Sequence, residues 1–578
     1  MLDKWLTALP DEARAQREWR LVLLATLGVC LFIVACSIGT LPILGDEAQH
    51  FRRAIVYWET GFPLTRATHD TAYPATGFSA VRYYDAALWH MVLVLLWRVA
   101  GHPSLLVAQV YHLTYFFALA TFAYLVGREL YGRRGGLWAW ALVLTIPMNL
   151  MFGMVFYLEV PVLAWAAMAT YCILRGRAIF LGLALIGMFL TKGPSAAVLT
   201  PPLLIGALLV IGETWRQRIF RTLLAAAVLF VMFMPDMHWR TATFGHAIMF
   251  HDQTRFELPF HHHVESAKKT AIPFDIADLM VDLRLFGVSG IFAVLVGIGL
   301  GVAYLARDSW RVLRTLFSAG PVATIRSTRN LCTPEAWVVA LPMITYVLGF
   351  LIMLRGAWDV RYFHPAVFFA AVLAGGRLAA WRPFEVAGRY RVAARWGAGL
   401  LVLAMLGQLV TVPPYLHIKR QLPPEVAAGF EWIKANTPPK ARFLYLETNL
   451  VVITGRPLIW AAAMPRYLFN VPEPEQARIL YHLGVQYIAI HPTRQADKSF
   501  DPEVEISEYP KPWIRSLVGR PYIVRVYPPE EPDSLEGRFL IFKLDPTKIP
   551  KEWIQDARPE ASNPFWGEDE TPAGQKAK

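Results

Sequence analysis

Along residues 21–413 the chain alternates long apolar runs with short polar breaks. Runs of about 20 residues without formal charge read as membrane-spanning helices, because a hydrocarbon layer needs that length and penalises an unpaired charge. Eleven spans are predicted: 21–42, 105–126, 137–153, 160–174, 178–191, 194–212, 222–235, 285–306, 336–354, 365–381 and 396–413. The stretch 178–212 also reads as one bent element. A further apolar run, Ala86–Ala100, is interrupted by His90 and Arg98 and is short for crossing, so it reads as an interfacial or re-entrant helix. Beyond 413 the pattern changes. Residues 423–436 read as a helix, and 441–446, 487–490, 522–526 and 539–542 as strands, the mark of an α/β domain over 414–550. The tail 551–578, rich in proline, charge and small residues, reads as disordered. The expected fold class is a polytopic α-helical membrane protein with a C-terminal soluble α/β domain.

Composition agrees. Of 578 residues 55% are apolar and only 17% charged, below the roughly 25% of soluble chains, which excludes a purely soluble enzyme. The net charge of +12 has a topological cause. With the N-terminal segment 1–20 in the cytoplasm, the cytoplasmic loops hold 17 arginines and only five acids, as the positive-inside rule requires. Nucleic acid need not be invoked. The exterior then receives the loops 43–104 and 236–284 and everything after 413. The bacterial cytoplasmic (inner) membrane is the expected location, with a periplasmic C-terminal domain. Cys30, Cys36, Cys172 and Cys332 show neither a disulfide framework nor zinc spacing. The apolar run after residue 20 lacks a small-residue cleavage site, so no cleavable signal is expected.

The informative residues are charges where apolar runs meet the exterior, since such groups usually face a cavity and act there. Asp46-Glu47 stand together where the first span exits, followed by His50, Arg52 and Arg53; an ordinary solvated helix cap is the competing reading. A partly dried carboxylate near cations serves as a general base or binds a cation, so a divalent cation stays open while no cofactor is assigned. Glu159 is the one acid in an apolar stretch and sits just before Pro161; the alternative is a side chain snorkelling to the interface. Lys192, in Leu190-Thr191-Lys192-Gly193-Pro194, lies on the exterior side against the charge trend and suits a phosphate, or else anchors the interface. Arg361 and His364 share a short exterior loop in which a guanidinium suits a phosphate equally well, or in which the charges are simply solvated. Arg82 with Tyr83 and Tyr84 reaches headgroup level late in the first loop. The histidines of the loop 236–284 fit no standard metal site, and a lid over a cavity is the preferred reading. Acids and cations at one membrane face suit a reaction in which a phosphate leaves: cations neutralise it while a carboxylate takes a proton from the nucleophile.

The motifs Gly45-Asp46-Glu47, the run from Gly127 to Arg134, Tyr157-Leu158-Glu159-Val160-Pro161, Leu190-Thr191-Lys192-Gly193-Pro194 and Arg361-Tyr362-Phe363-His364-Pro365 occur in that order. With that order, residues 20–415 resemble the GT-C superfamily of polyprenyl-phosphate-sugar-dependent glycosyltransferases, nearest the bacterial protein O-mannosyltransferases and lipid A aminoarabinose transferases. Glu159 stands where those proteins often carry Asp, and Arg82 where the aminoarabinose transferases carry Lys. The resemblance implies a transferase that moves a hexosyl or pentosyl group from a polyprenyl-phosphate carrier to a lipid, protein or glycan acceptor. Asp46 would be the catalytic base, with Glu47 and Glu159 as companion acids. Lys192, Arg361, Arg82 and His364 would hold the donor phosphate, and Tyr83, Tyr84, Arg52 and Arg53 would line the cavity. A transporter or flippase of lipid-linked sugars is the alternative, but it expects mid-membrane charge or internal repeats.

Overall fold

The computed structural model describes residues 11–42, 46–60, 71–72, 88–244, 276–353, 363–381, 390–445, 449–460, 472–482, 484–490, 519–528 and 538–554. Of the residues singled out above, Arg82, Tyr83, Tyr84, Arg361 and the histidines between 246 and 263 lie outside them.

Helix α1 (Asp11–Ser37) starts well before the expected span, and its Glu18 is buried, accepting a hydrogen bond from Tyr124 Oη at 2.7 Å and pairing with Arg133. The loop after it holds α2 (Asp46–Thr60), strand β1 (Thr71–Ala72) and α3 (Leu88–Ala100), the last being the short apolar helix expected. The second and third expected spans are joined in α4 (Leu105–Thr145), and the turn between them is confined to Gly132. Its φ of 71° lies in the left-handed region open to glycine, so helix continues up to the turn and resumes directly after it. Pro147 then starts a separate short helix, α5 (Pro147–Met154), bent by 115° from α6 (Glu159–Leu174).

The bundle continues with α7 (Ala178–Phe189) and α8 (Gly193–Val210), two helices separated at Lys192, whose extended backbone precedes Gly193-Pro194. Next come α9 (Trp215–Phe244) and α10 (Ile276–Leu331). The stretch 307–331, expected as a cytoplasmic loop, is helical and kinked at Gly320. It is tied back by Asp308, which accepts from Thr333 N at 2.7 Å and from Arg307 Nε at 2.9 Å. A π-helical turn (Glu335–Ala340) leads into α11 (Leu341–Met353), followed by α12 (His364–Trp381) and α13 (Arg391–Lys419). Among the described residues six helices are long and apolar enough to cross a membrane, or seven with the bent pair counted as one span. Two of the eleven expected runs are joined in α4, and several others form helices too short or too broken for that test. The chain is an integral membrane protein of mostly helical structure.

The centre of the bundle is α12 against α4. It is closed by small residues: a Cβ on Gly375 would stand 2.6 Å from the backbone N of Ala139. Such approach lets apolar helices gain dispersion contact where lipid offers no hydrophobic drive.

After α13 come α14 (Pro424–Asn436), β2 (Phe443–Tyr445), α15 (Asn449–Thr454), β3 (Leu458–Trp460), α16 (Glu473–His482), β4 (Tyr487–Ile490), β5 (Ile523–Tyr527), β6 (Leu540–Leu544) and a last turn, α17 (Lys551–Ile554), where a disordered tail was expected. The sheet order is β1-β3-β2-β4-β6-β5, with β1, β3, β2 and β4 parallel and the β4–β6 and β6–β5 pairs antiparallel. The four expected strands are present within two residues of their bounds, while β3 was not anticipated. Nor was β1, which comes from the first loop, so the sheet is not built from the C-terminal region alone.

Candidate active site

The break between α5 and α6 organises the site. A 115° bend frees backbone groups that a continuous helix would pair, and in an apolar setting these must find partners. They find side chains. Gln109 Nε2 donates to the Gly153 carbonyl at 3.1 Å, and His112 Nε2 lies 2.7 Å from the Phe152 carbonyl. Phe156 N donates to Glu47 Oε1 at 3.4 Å. The break is therefore stitched to α4 on one side and to the first turn of α2 on the other.

Glu47 is fully buried and pairs with Arg420, itself 1% exposed, just past the end of α13. The guanidinium also lies 5.9 Å from the centroid of the Phe156 ring, and Phe51 of α2 stacks on that ring at 5.9 Å. Behind them His50 Nδ1 is 3.2 Å from His90 Nε2, and Trp89 packs between His90, His112 and Phe156. Arg52 and Arg53 lie half-buried on the same helix, and the charge of Arg53 bears on His90. Asp46 is the first residue of α2. Its backbone thus stands one residue from the Glu47 anchor.

The other end of the break carries Glu159, the first residue of α6 and 3% exposed. It accepts a hydrogen bond from Lys192 Nζ at 2.6 Å, so two charges chosen separately in the sequence form one pair. His364 begins α12, fully buried, with Nε2 2.6 Å from Asn149 Oδ1 and its ring 5.0 Å from that of Phe152. Asn149 Nδ2 donates to the Val143 carbonyl at 2.7 Å, so its Oδ1 faces the imidazole and the hydrogen sits on Nε2. The charge of Lys192 reaches this ring as well. Leu88 N donates to the Leu190 carbonyl at 2.9 Å, joining the start of α3 to the Lys192 turn.

The structure thus brings Glu47, Glu159, Lys192 and His364, with the backbone of Asp46, to one end of the bundle around residues 152–159. Arg133 with Glu18, Arg175 with Glu129, and Arg307 with Asp308 mark the opposite end, one helix length away along α4. Sequence reasoning missed Arg420, Asn149 and His112. Arg420 carried the signal that picked out Lys192, a cation at the end of an apolar run. Asn149 and His112 are lone polar residues in apolar helices and show nothing of their partners. Among the described residues no three metal-ligating side chains lie together.

Chemically, this end of the bundle offers the helix-start position of Asp46 and a half-buried ammonium paired with a buried acid. Those groups suit proton removal beside a departing anion.

No protein-family profile matches the sequence, and no curated protein does. Solved structures do match in shape. The chain superposes on ArnT from Cupriavidus metallidurans in the apo state with a TM-score of 0.54 at 13% identity, covering 93% of this chain and 99% of that one. Against the same protein bound to undecaprenyl phosphate the TM-score is 0.53 at 13% identity, with 90% and 97% covered. An Archaeoglobus fulgidus oligosaccharyltransferase in complex with Zn and sulfate gives 0.50 at 12% identity, over 80% of this chain and 67% of that one. The chain therefore shares its fold with ArnT and with this oligosaccharyltransferase.

Proposed function

We propose that the protein is a membrane glycosyltransferase that moves a sugar from a polyprenyl-phosphate carrier to an acceptor hydroxyl at the exterior face of a bacterial inner membrane. The observation that carries this reading is the convergence, within a GT-C fold, of the Asp46-bearing turn of α2 and the Glu159–Lys192 pair on one helix break. Asp46 takes the proton of the acceptor hydroxyl as that oxygen attacks the anomeric carbon. The bond from that carbon to the phosphate oxygen breaks, the polyprenyl phosphate leaves with the electron pair, and the anomeric centre inverts. Lys192 and Arg361, with Arg82 from the first loop, neutralise the leaving phosphate, which enters sideways from the bilayer. One of the three Lys192 N–H bonds serves Glu159, which keeps the ammonium aimed. ArnT in a structure of this fold holds undecaprenyl phosphate, which supports a carrier of that chemistry here.

The test uses the full chain in proteoliposomes with a panel of undecaprenyl-phosphate-linked sugars, following release of undecaprenyl phosphate. Asp46→Asn is expected to insert normally and to lose about 10²–10⁴-fold in turnover. Undiminished transfer by that variant would remove Asp46 from the base role. Sugar-lipid flux across the vesicle without covalent transfer by the wild type would favour the flippase instead.

A further inference from the structure

The pair Glu47–Arg420 joins residues 373 positions apart in the chain, and neither side chain sees solvent. Burying both charges is costly, and a buried pair is often no more stabilising than apolar residues of the same size. Its use is therefore geometric. Arg420 caps the end of α13, just before the chain enters α14 and the sheet. Glu47 accepts from Arg420 and from Phe156 N on the same oxygen, so one carboxylate fastens the first turn of α2 both to the α5–α6 break and to the root of the C-terminal region. Two other contacts run in parallel. α15 packs on α2, with Val452 against the apolar cluster that includes Phe51, Ala54 and Tyr57, and β1 extends the sheet beside β3. The region after residue 420 thus grips the segment that carries Asp46 at three places.

We propose that Arg420 is a positioning residue. Through Glu47 it sets the first turn of α2, and with it the backbone of Asp46, against the α5–α6 break, and so couples the C-terminal sheet to sugar transfer. This rests on the glycosyltransferase reading for its kinetic consequence, though not for the brace itself. Glu47 then acts through position, whereas Asp46 meets the acceptor.

The experiment compares Arg420→Gln, Arg420→Lys, Glu47→Gln and Asp46→Asn as full-length chains in proteoliposomes. Two readouts are used: turnover on the undecaprenyl-phosphate-sugar panel, and hydrogen exchange of backbone amides. Arg420→Gln and Glu47→Gln should each lower kcat by about 100-fold, as expected for misplacement of a reacting group by an ångström, with KM for the donor within about threefold. Exchange should quicken across Asp46–Thr60 and stay unchanged in β2, β3 and β4. Arg420→Lys, which keeps the charge, should retain slow exchange in α2 and most of the turnover. Asp46→Asn should lose turnover with α2 exchange unchanged.

Wild-type exchange in α2 of Arg420→Gln, or full kcat, would overturn the proposal. So would quickened exchange spread equally through the sheet, because Arg420 would then serve general stability only. If the first variant fails to accumulate, Glu47→Gln decides by the same criteria. If no donor in the panel turns over, the exchange pattern alone decides the brace, and failure of the glycosyltransferase reading is seen separately.

Discussion

Asp46 and Glu47 are neighbours in the chain, and helical geometry turns successive positions about 100° apart, which is why we propose different roles for them. Glu47 faces inward to Arg420 and the Phe156 amide, and these contacts support the anchoring role proposed for it. Glu159 and Lys192 show the opposite relation: distant in sequence, they act as one unit. Removing one partner of such a pair leaves a buried, uncompensated charge. Lys192→Met should therefore destabilise by about 3–5 kcal/mol in denaturant titrations in micelles. The double variant Lys192→Met/Glu159→Gln should lose clearly less than the sum of the two single changes. Strict additivity would mean that the two charges do not interact in solution. Each of these side chains was visible in the sequence as a charge interrupting an apolar run. Their pairing was not, because hydropathy reports depth in the membrane and says nothing of direction around a helix axis.

At the scale of elements, proline and glycine shape the site. Pro147 and Pro161 flank the bent segment and Pro194 follows Lys192, so the helix ends that bear Glu159 and Lys192 were readable as breaks. Pro194 in the first turn of α8 is also where α7 and α8 separate, as the two expected spans 178–191 and 194–212 do. Close helix packing was less legible. Gly375 and Gly376 sit amid an apolar run and look unremarkable there, yet Gly375 lies against the α4 backbone at Ala139. Gly375→Ala should force α12 from α4 and cost about 1–3 kcal/mol, read as a lower unfolding midpoint in detergent. An unchanged midpoint would mean that this contact has room to relax. Because α12 begins at His364 beside Phe152, the same change should also reduce sugar transfer.

For the whole molecule, the main finding is that the first loop belongs to the sheet. In the Thr71–Leu458 and Ala72–Ile459 pairs the two strands run parallel, so the sheet edge and the candidate site share one segment of chain. Cysteines placed at Thr71 and Leu458 should cross-link on mild oxidation, since neighbouring parallel strands bring their Cα atoms within disulfide reach. A site-specific protease cut between them, read on a non-reducing gel, shows whether the halves stay joined. Separate halves would mean that β1 does not pair with β3. This pairing ties a region far along the sequence to the stretch of chain that follows α2.

The membrane class, the C-terminal strands and the acids and cations at helix ends were already written in the residue pattern, because burial in lipid forces apolar runs and makes each surviving charge conspicuous. The GT-C likeness followed from the order of those charges. Which groups pair, which strand joins the sheet and which arginine holds Glu47 depended on contacts between residues tens to hundreds of positions apart. Such contacts arise from the close packing of helices and strands in three dimensions, and local composition does not encode them.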